Sequence, residues 1–281
     1  MSVRLKNALV RRAEVERGTT KRREMRAEEG RALDATRRDD WAPSTSQFER
    51  PPTWKRTLDW GLIAITYPIW MPLMLLVMLA VKLSSPGPIF YRQERIGFRG
   101  RSFMIFKFRS MKVRAETSMH EWYFERLMRG EIPMTKLDTD DPRIIPWGRV
   151  LRATGLDELP QLFNVLRGEM SLVGPRPCTP VEFANYQPSQ QERVNALPGL
   201  TGYWQVKGKN KTTFQEMIEM DLFYIKNASL RLDLWIIART PIALLRQVYE
   251  LWQKRSRKRK NFEAGSEIAK AHSQSANGNA G

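Results

Sequence analysis

Trp60-Gly61-Leu62-Ile63-Ala64-Ile65-Thr66-Tyr67-Pro68-Ile69-Trp70-Met71-Pro72-Leu73-Met74-Leu75-Leu76-Val77-Met78-Leu79-Ala80-Val81 is an uncharged run in an otherwise charge-rich chain. Its 22 residues would extend about 33 Å as an ideal helix, close to the hydrocarbon thickness of a bilayer. The polar residues 1–59 ahead of it exclude a signal peptide. Fifteen Lys/Arg residues precede Trp60, and Lys82, Arg92, Arg95, Arg99 and Arg101 follow the run. The positive-inside tendency draws both flanks toward the cytoplasm, which a straight span cannot satisfy. Pro68 and Pro72 each remove a helix N–H and crowd a carbonyl one turn earlier, so the spacing predicts a bend near the midpoint. A re-entrant helix that enters and leaves by one leaflet resolves the conflict. The alternative, a kinked transmembrane helix, puts the basic residues 1–59 on the other side.

A second stretch carries the chemistry. Leu156-Asp157-Glu158-Leu159-Pro160-Gln161-Leu162 sets two adjacent carboxylates at a helix start that Thr154 or Gly155 leads into and Gly168 closes. Free backbone N–H groups there favour negative charge and also welcome phosphate. By itself such a pair is most simply a helix cap. Gly174-Pro175-Arg176-Pro177 follows, a rigid loop bearing one cation. Arg176 is either a phosphate clamp, its ordering cost reduced by the prolines, or the salt-bridge partner of Glu169 or a neighbouring acid.

Composition narrows the chemistry. The 281-residue chain holds Lys+Arg 47 against Asp+Glu 30, a formal charge of +17, so its partners should be anionic. Residues 254–260 place six basic groups in seven positions beside hydrophobic protein, which suits anionic lipid headgroups. A nucleic-acid partner is not expected, because no recognisable binding module accompanies the charge. The single Cys178 excludes an intramolecular disulfide and reads as a small packing residue. With only His120 and His272, a His/Cys zinc site is excluded and a serine–histidine triad is poorly supported. Carboxylates, cations and hydroxyls remain, with an oxygen-loving metal such as Mg²⁺.

The sequence predicts an α+β, mainly helical protein. Residues 1–53 form a charged extension and linker, partly disordered; 54–83 the membrane helix; 84–253 the catalytic domain; and 254–281 a basic, disordered tail. Ile89 to Arg95 and Arg101 to Met111 read as a hairpin around Gly97 and Gly100. In its second strand Met104, Phe106 and Phe108 alternate with Ile105, Lys107 and Arg109, giving an apolar face and a face ending in two cations. Those cations line either the site or a lipid-facing surface. Residues 116–129 read as a charged helix, Asp138, Asp140 and Asp141 as a turn rather than a Ca²⁺ loop, and 181–196 as a polar helix. The basic, aromatic-bearing segment from Leu230 to Trp252 suits the membrane interface, with Pro241 dividing it into two helices.

Five blocks in this order resemble the bacterial sugar transferases, the small monotopic phosphoglycosyl transferases. They are Lys55-Arg56 with Asp59, the Phe106-Lys107-Phe108-Arg109-Ser110-Met111 block, the Asp157 block through Pro177, Leu197 to Val206, and Asp221 to Asp233. The resemblance covers Lys55 to about Leu245 and implies the same re-entrant geometry, with the break at Pro72; Pro68 is an additional proline. It implies that Asp157 is the nucleophile on a UDP-sugar, releasing a nucleoside monophosphate, and that polyprenyl phosphate then takes the phosphosugar. It further implies Glu158 as Mg²⁺ ligand beside Asp157 or as base, Arg152 as a phosphate contact, and Lys107 and Arg109 as site residues. Gly208-Lys209-Asn210 departs from the family's usual Gly-Arg-Asn, losing a planar two-bond fork. The implied location is the bacterial inner membrane, with the catalytic domain and both termini cytoplasmic; a homo-oligomer is left open. A membrane-anchored basic scaffold that binds anionic lipid or nucleic acid without catalysis is the alternative, but it gives no purpose to Asp157 and Glu158 beside Arg176.

Overall fold

The computed structural model describes residues 51–112, 126–127, 141–208, 212–250, 252–253 and 256. The N-terminal extension, the helix expected over 116–129 apart from two residues, Asp138 and Asp140, Lys209 and nearly all of the basic tail lie outside the described residues. The rest is mainly helical with two small sheets.

Helix α1 (Thr53–Ser84) contains the whole apolar run and is the one described helix long and apolar enough to cross a membrane. Helical structure runs without interruption through Pro68 and Pro72. Each proline removes one hydrogen bond, from the carbonyls of Ala64 and Pro68, without ending the helix. The Trp70 indole, between the prolines, donates to the Ile63 carbonyl at 3.0 Å. Its buried residues Lys55, Asp59, Ile63, Trp70, Met74, Val77 and Val81 recur every three, four or seven positions. They form one stripe against the domain. Ile65, Ile69, Leu75, Leu76, Leu79 and Leu83 face outward and exposed.

Strands β1 (Phe90–Ile96) and β2 (Ser102–Phe108) form the expected antiparallel hairpin, pairing Phe90 with Phe108 and Ile96 with Ser102. Its burial only partly follows the expected apolar face: Phe108 is buried as expected, but Ile105 is buried too while Met104 is exposed, because the hairpin lays both Ile105 and Phe108 into the core with α1 and the 156–167 segment. After helix α2 (Gly148–Thr154), Gly155 takes φ 75° and starts a 3-10 turn, Leu156–Gln161, that continues into α3 (Leu162–Arg167). Gly168, at φ 80°, ends α3 as expected.

The loops either side of the Gly-Pro-Arg-Pro segment hide a second sheet. Strand β3 (Ser171–Val173) pairs in parallel with β4 (Gly199–Thr201). Only glycines permit the approach beside it. A Cβ on Gly174 would collide with the Leu197 carbonyl and one on Gly199 with the Gly174 amide. Between these strands, the polar helix expected over 181–196 is instead broken into α4 (Pro180–Ala184), α5 (Pro188–Gln191) and a 3-10 turn, Glu192–Asn195. Pro188 explains the division, since it cannot donate within a continuous helix.

Helices α6 (Tyr203–Lys207), α7 (Phe214–Asn227) and α8 (230–250) complete the body. Helix α8 corrects the expectation of two helices, because it continues through Pro241. Its Asp233, Ile236 and Gln247 are buried, Thr240 meets Thr201 at 2.8 Å, and Leu244 lies against Gly155. Leu234, Ile242, Leu245, Tyr249 and Trp252 lie exposed. One face therefore braces the start of the acidic turn and the other is apolar and open.

Candidate active site

The helix-forming block opens on Gly155 because only a left-handed residue can end α2 and begin the next turn so abruptly. The Glu158 amide donates to the Gly155 carbonyl at 3.0 Å, closing the first turn with both acids inside it. Asp157 is buried, at 5 % exposure. Glu158 projects to the surface and meets Lys107 of β2, Nζ to Oε1 2.9 Å, with both side chains partly exposed.

Asn164 ties this turn to the hairpin. Its amide donates to the Met104 carbonyl at 2.8 Å and to Glu169 at 2.7 Å, and its oxygen accepts from the Phe106 amide at 3.2 Å. The outer edge of β2 is thus satisfied by one fully buried side chain on the helix that follows the acids. Sequence reasoning missed Asn164, whose type and position carry no signal until the strand edge is known.

The Arg176 loop is built on a separate support. Arg176 donates to Glu182 at 2.9 Å, and Arg95 approaches the same carboxylate at 3.7 Å. The acid that pairs with Arg176 is therefore Glu182; Glu169 is engaged by Asn164. Glu182 is also the third residue of α4, where its other oxygen accepts from the Thr179 amide while Thr179 Oγ1 accepts from the Glu182 amide. Thr179-Pro180-Val181-Glu182 is thus a capping box with proline at its first helical position. That pattern was legible in the sequence and could have found Glu182. Burial alone would raise the Glu182 carboxyl, but Arg176 and Arg95 hold it below the usual carboxylate range. Burial lowers the Arg95 guanidinium, helped by Arg176 and opposed by Glu182 and, more weakly, Glu158. Arg95 consequently feels both acidic centres.

The other two expected site cations stand on different elements. Arg152 stands in the last turn of α2, and its charge helps to lower Asp141 after the larger effects of Arg143, which bring that carboxyl to about 2. Arg109 donates to the Ser85 and Pro86 carbonyls and to Ser85 Oγ, at 2.6 to 2.9 Å. It fastens the exit of α1. Cys178 is buried in an apolar cluster with Trp204 and Met217, as a packing residue would be, and burial pushes its thiol up to about 11.

The first and last sequence blocks meet far from the acids in the chain. Lys55 donates to the Tyr224 hydroxyl and to Asp233, and Asp59 accepts from Ser171 Oγ at 3.1 Å and the Leu172 amide at 3.0 Å. The entry of α1 is therefore fixed to β3, which leads directly into the Arg176 loop. Residues 51–247 match the family model described as bacterial sugar transferase.

The chain belongs to the bacterial sugar transferase family. It is 42% identical over 188 residues to the exopolysaccharide production protein ExoY of Sinorhizobium fredii, covering 66% of this chain and 83% of the relative. It is 43% identical over 187 residues to the UDP-glucose:undecaprenyl-phosphate glucose-1-phosphate transferase of Xanthomonas campestris pv. campestris, covering 64% and 36%. It is 38% identical over 194 residues to the undecaprenyl-phosphate galactose phosphotransferase of Salmonella typhimurium, covering 69% and 40%. In this sugar transferase, the matched region takes in α1, the Asp157 turn, the Arg176 loop and all but the end of α8.

Proposed function

We propose that this protein moves a sugar-1-phosphate from a UDP-sugar to polyprenyl phosphate, the undecaprenyl carrier, initiating exopolysaccharide or another surface glycan, and that Asp157 carries the phosphosugar between them. The observation that carries this reading is the buried Asp157 beside Glu158, in a turn braced by the membrane helix's own domain, within a family whose relatives are named for that transfer.

A carboxylate oxygen of Asp157 attacks the phosphorus that bears the sugar, and the bond from that phosphorus to the bridging diphosphate oxygen breaks. UMP leaves with the bridging oxygen. An oxygen of polyprenyl phosphate then attacks the same phosphorus, the acyl-phosphate bond breaks, and Asp157 returns as a carboxylate. Dividing the transfer this way replaces one difficult displacement with two. Arg176 steadies negative phosphate oxygens from its proline-held loop, with Arg152 as a second contact. Glu158 either helps hold the metal or accepts the incoming phosphate's proton, and Lys107 fixes its orientation.

Asp157 and Glu158 suit Mg²⁺ on the chemistry of their donors. No group of three or more metal-ligating side chains gathers among the described residues, so the remaining ligands would be substrate phosphate oxygens and water, a usual arrangement for Mg²⁺. The ion would supply charge neutralisation at the diphosphate.

The one-leaflet reading of α1 is supported by its two ends. A straight 32-residue helix would be about 48 Å long. Yet Lys55 and Asp59 at its start and Ser85 just past its end all bind the same domain. In this reading the bend falls between Pro68 and Pro72, where two helix hydrogen bonds are missing. With the open faces of α1 and α8 in lipid, the domain and both termini lie on the cytoplasmic side of the bacterial inner membrane, where UDP-sugars are made.

The test uses purified protein in nanodiscs with Mg²⁺, polyprenyl phosphate and a panel of UDP-sugars. Native protein is expected to release UMP with at least one sugar, and Asp157→Asn to lose about a thousandfold or more of that rate. No release with any sugar, or undiminished release by the variant, overturns the reading. A phosphosugar found on Asp157 by mass spectrometry supports the two-step route.

A further inference from the structure

The triplet Pro175-Arg176-Pro177 has only one backbone donor, because neither proline has an N–H. Each polar backbone group in it has a partner. The Arg176 amide donates to Asp221 Oδ2 at 3.1 Å. The Pro175 carbonyl accepts from the Gly199 amide at 2.9 Å, the Arg176 carbonyl from Arg193 Nη2 at 3.1 Å, and the Pro177 carbonyl from Arg95 Nη1 at 3.1 Å.

Two of those partners are a single unit. Arg193 Nη2 also binds Asp221 Oδ2, and Arg193 Nη1 binds the Tyr186 hydroxyl. Asp221 has no exposed surface and Arg193 almost none. The pair therefore grips the Arg176 peptide from both sides, amide by the acid and carbonyl by the guanidinium.

We infer that Arg193 and Asp221 are positioning residues for the transfer, fixing the direction in which Arg176 leaves its loop. This inference rests on the role given to Arg176 above. Arg193 touches no substrate in it; its effect passes through the peptide it holds. Catalytic groups displaced by about an ångström can lose on the order of a hundredfold in rate. An asparagine at 221 keeps one acceptor but drops the charge that orients Arg193. A lysine at 193 keeps charge but cannot reach Asp221, Tyr186 and the Arg176 carbonyl with one ammonium.

The experiment is a double-mutant cycle in nanodiscs, with whichever UDP-sugar the native protein turns over. Asp221→Asn and Arg193→Lys are each made alone and with Arg176→Ala, and kcat and KM are measured beside the thermal melt. Each single change is expected to lower kcat/KM by about tenfold to a hundredfold. In the Arg176→Ala background the same change is expected to cost less than about twofold, because residues acting through one group are not additive. Equal losses in both backgrounds overturn the inference, as does native-like kcat/KM in both folded single variants. Loss of a cooperative melt in both single variants also overturns it, because it assigns the pair to the fold alone. Absence of turnover in the native protein would instead remove the reading on which the inference rests.

Discussion

Glu158 and Glu182 are both carboxylates held by cations, yet they stand in opposite circumstances. Glu158 meets Lys107, and both side chains of that pair keep about a quarter of their surface in solvent. Glu182 is 2 % exposed, paired with Arg176, approached by Arg95 and bonded to the Thr179 amide. An exposed ion pair contributes little to stability, so its partners are free to exchange. A buried acid satisfied on both oxygens is costly to disturb. The contrast separates a carboxylate left exchangeable at the surface from one used to hold an arginine in place.

The largest expected effect tests the open pair. Glu158→Gln should lower UMP release by about a hundredfold to ten-thousandfold while the thermal midpoint scarcely moves. A marked fall in midpoint would place Glu158 among the structural acids and erase the distinction. The closed pair should respond the other way. Glu182→Gln leaves two arginines short of their acid and is expected to cost about 3–5 kcal/mol of stability, read as a lowered midpoint in nanodiscs.

Acid should tell the two apart without mutation. The folded-state carboxyl of Glu182 is depressed, so its ionised form contributes stability that is present above the ordinary carboxyl range, near about pH 4. That contribution is lost as pH falls through the depressed folded value. The midpoint of native protein is therefore expected to drop more steeply below about pH 4 than that of Glu182→Gln. Parallel curves would break the comparison. The smallest effect belongs to Cys178, beside the same cluster. With its thiol at about 11, it should react with iodoacetamide at pH 8 far more slowly than free cysteine, and prompt labelling would show that this side of the Arg176 loop opens.

Much of the positioning was legible where local rules decide it. Gly155 marked the start of the acidic turn and Gly168 the end of the helix that follows it, the hairpin followed from alternation around Gly97 and Gly100, and the ordered blocks identified the family. What was illegible depends on distant partners. The two β-strands of the second sheet have three residues each, too few for a periodic pattern, and their pairing rests on the clearance between Gly174 and Gly199. Arg109 looked like a site cation because only the fold brings Ser85 and Pro86 beneath it. Arg193 and Asp221 lie 28 positions apart, and neither has a local reason to be buried. Pro241 misled in the other direction, since the brace of α8 against Thr201 and Gly155 keeps the helix continuous despite the missing bond.

The bond from Lys55 to Asp233 joins residues 178 positions apart. At ordinary rates of protein synthesis the acid emerges roughly 10–35 s after the lysine. For most of that interval the apolar helix is already made, while the lysine at its mouth still lacks Asp233. The nascent chain must therefore settle in lipid by hydrophobicity and the surrounding positive charge alone. The ribosome finishes the latch last, so a chain cut short before Asp233 would carry the apolar helix without the bond that ties its entry to α8.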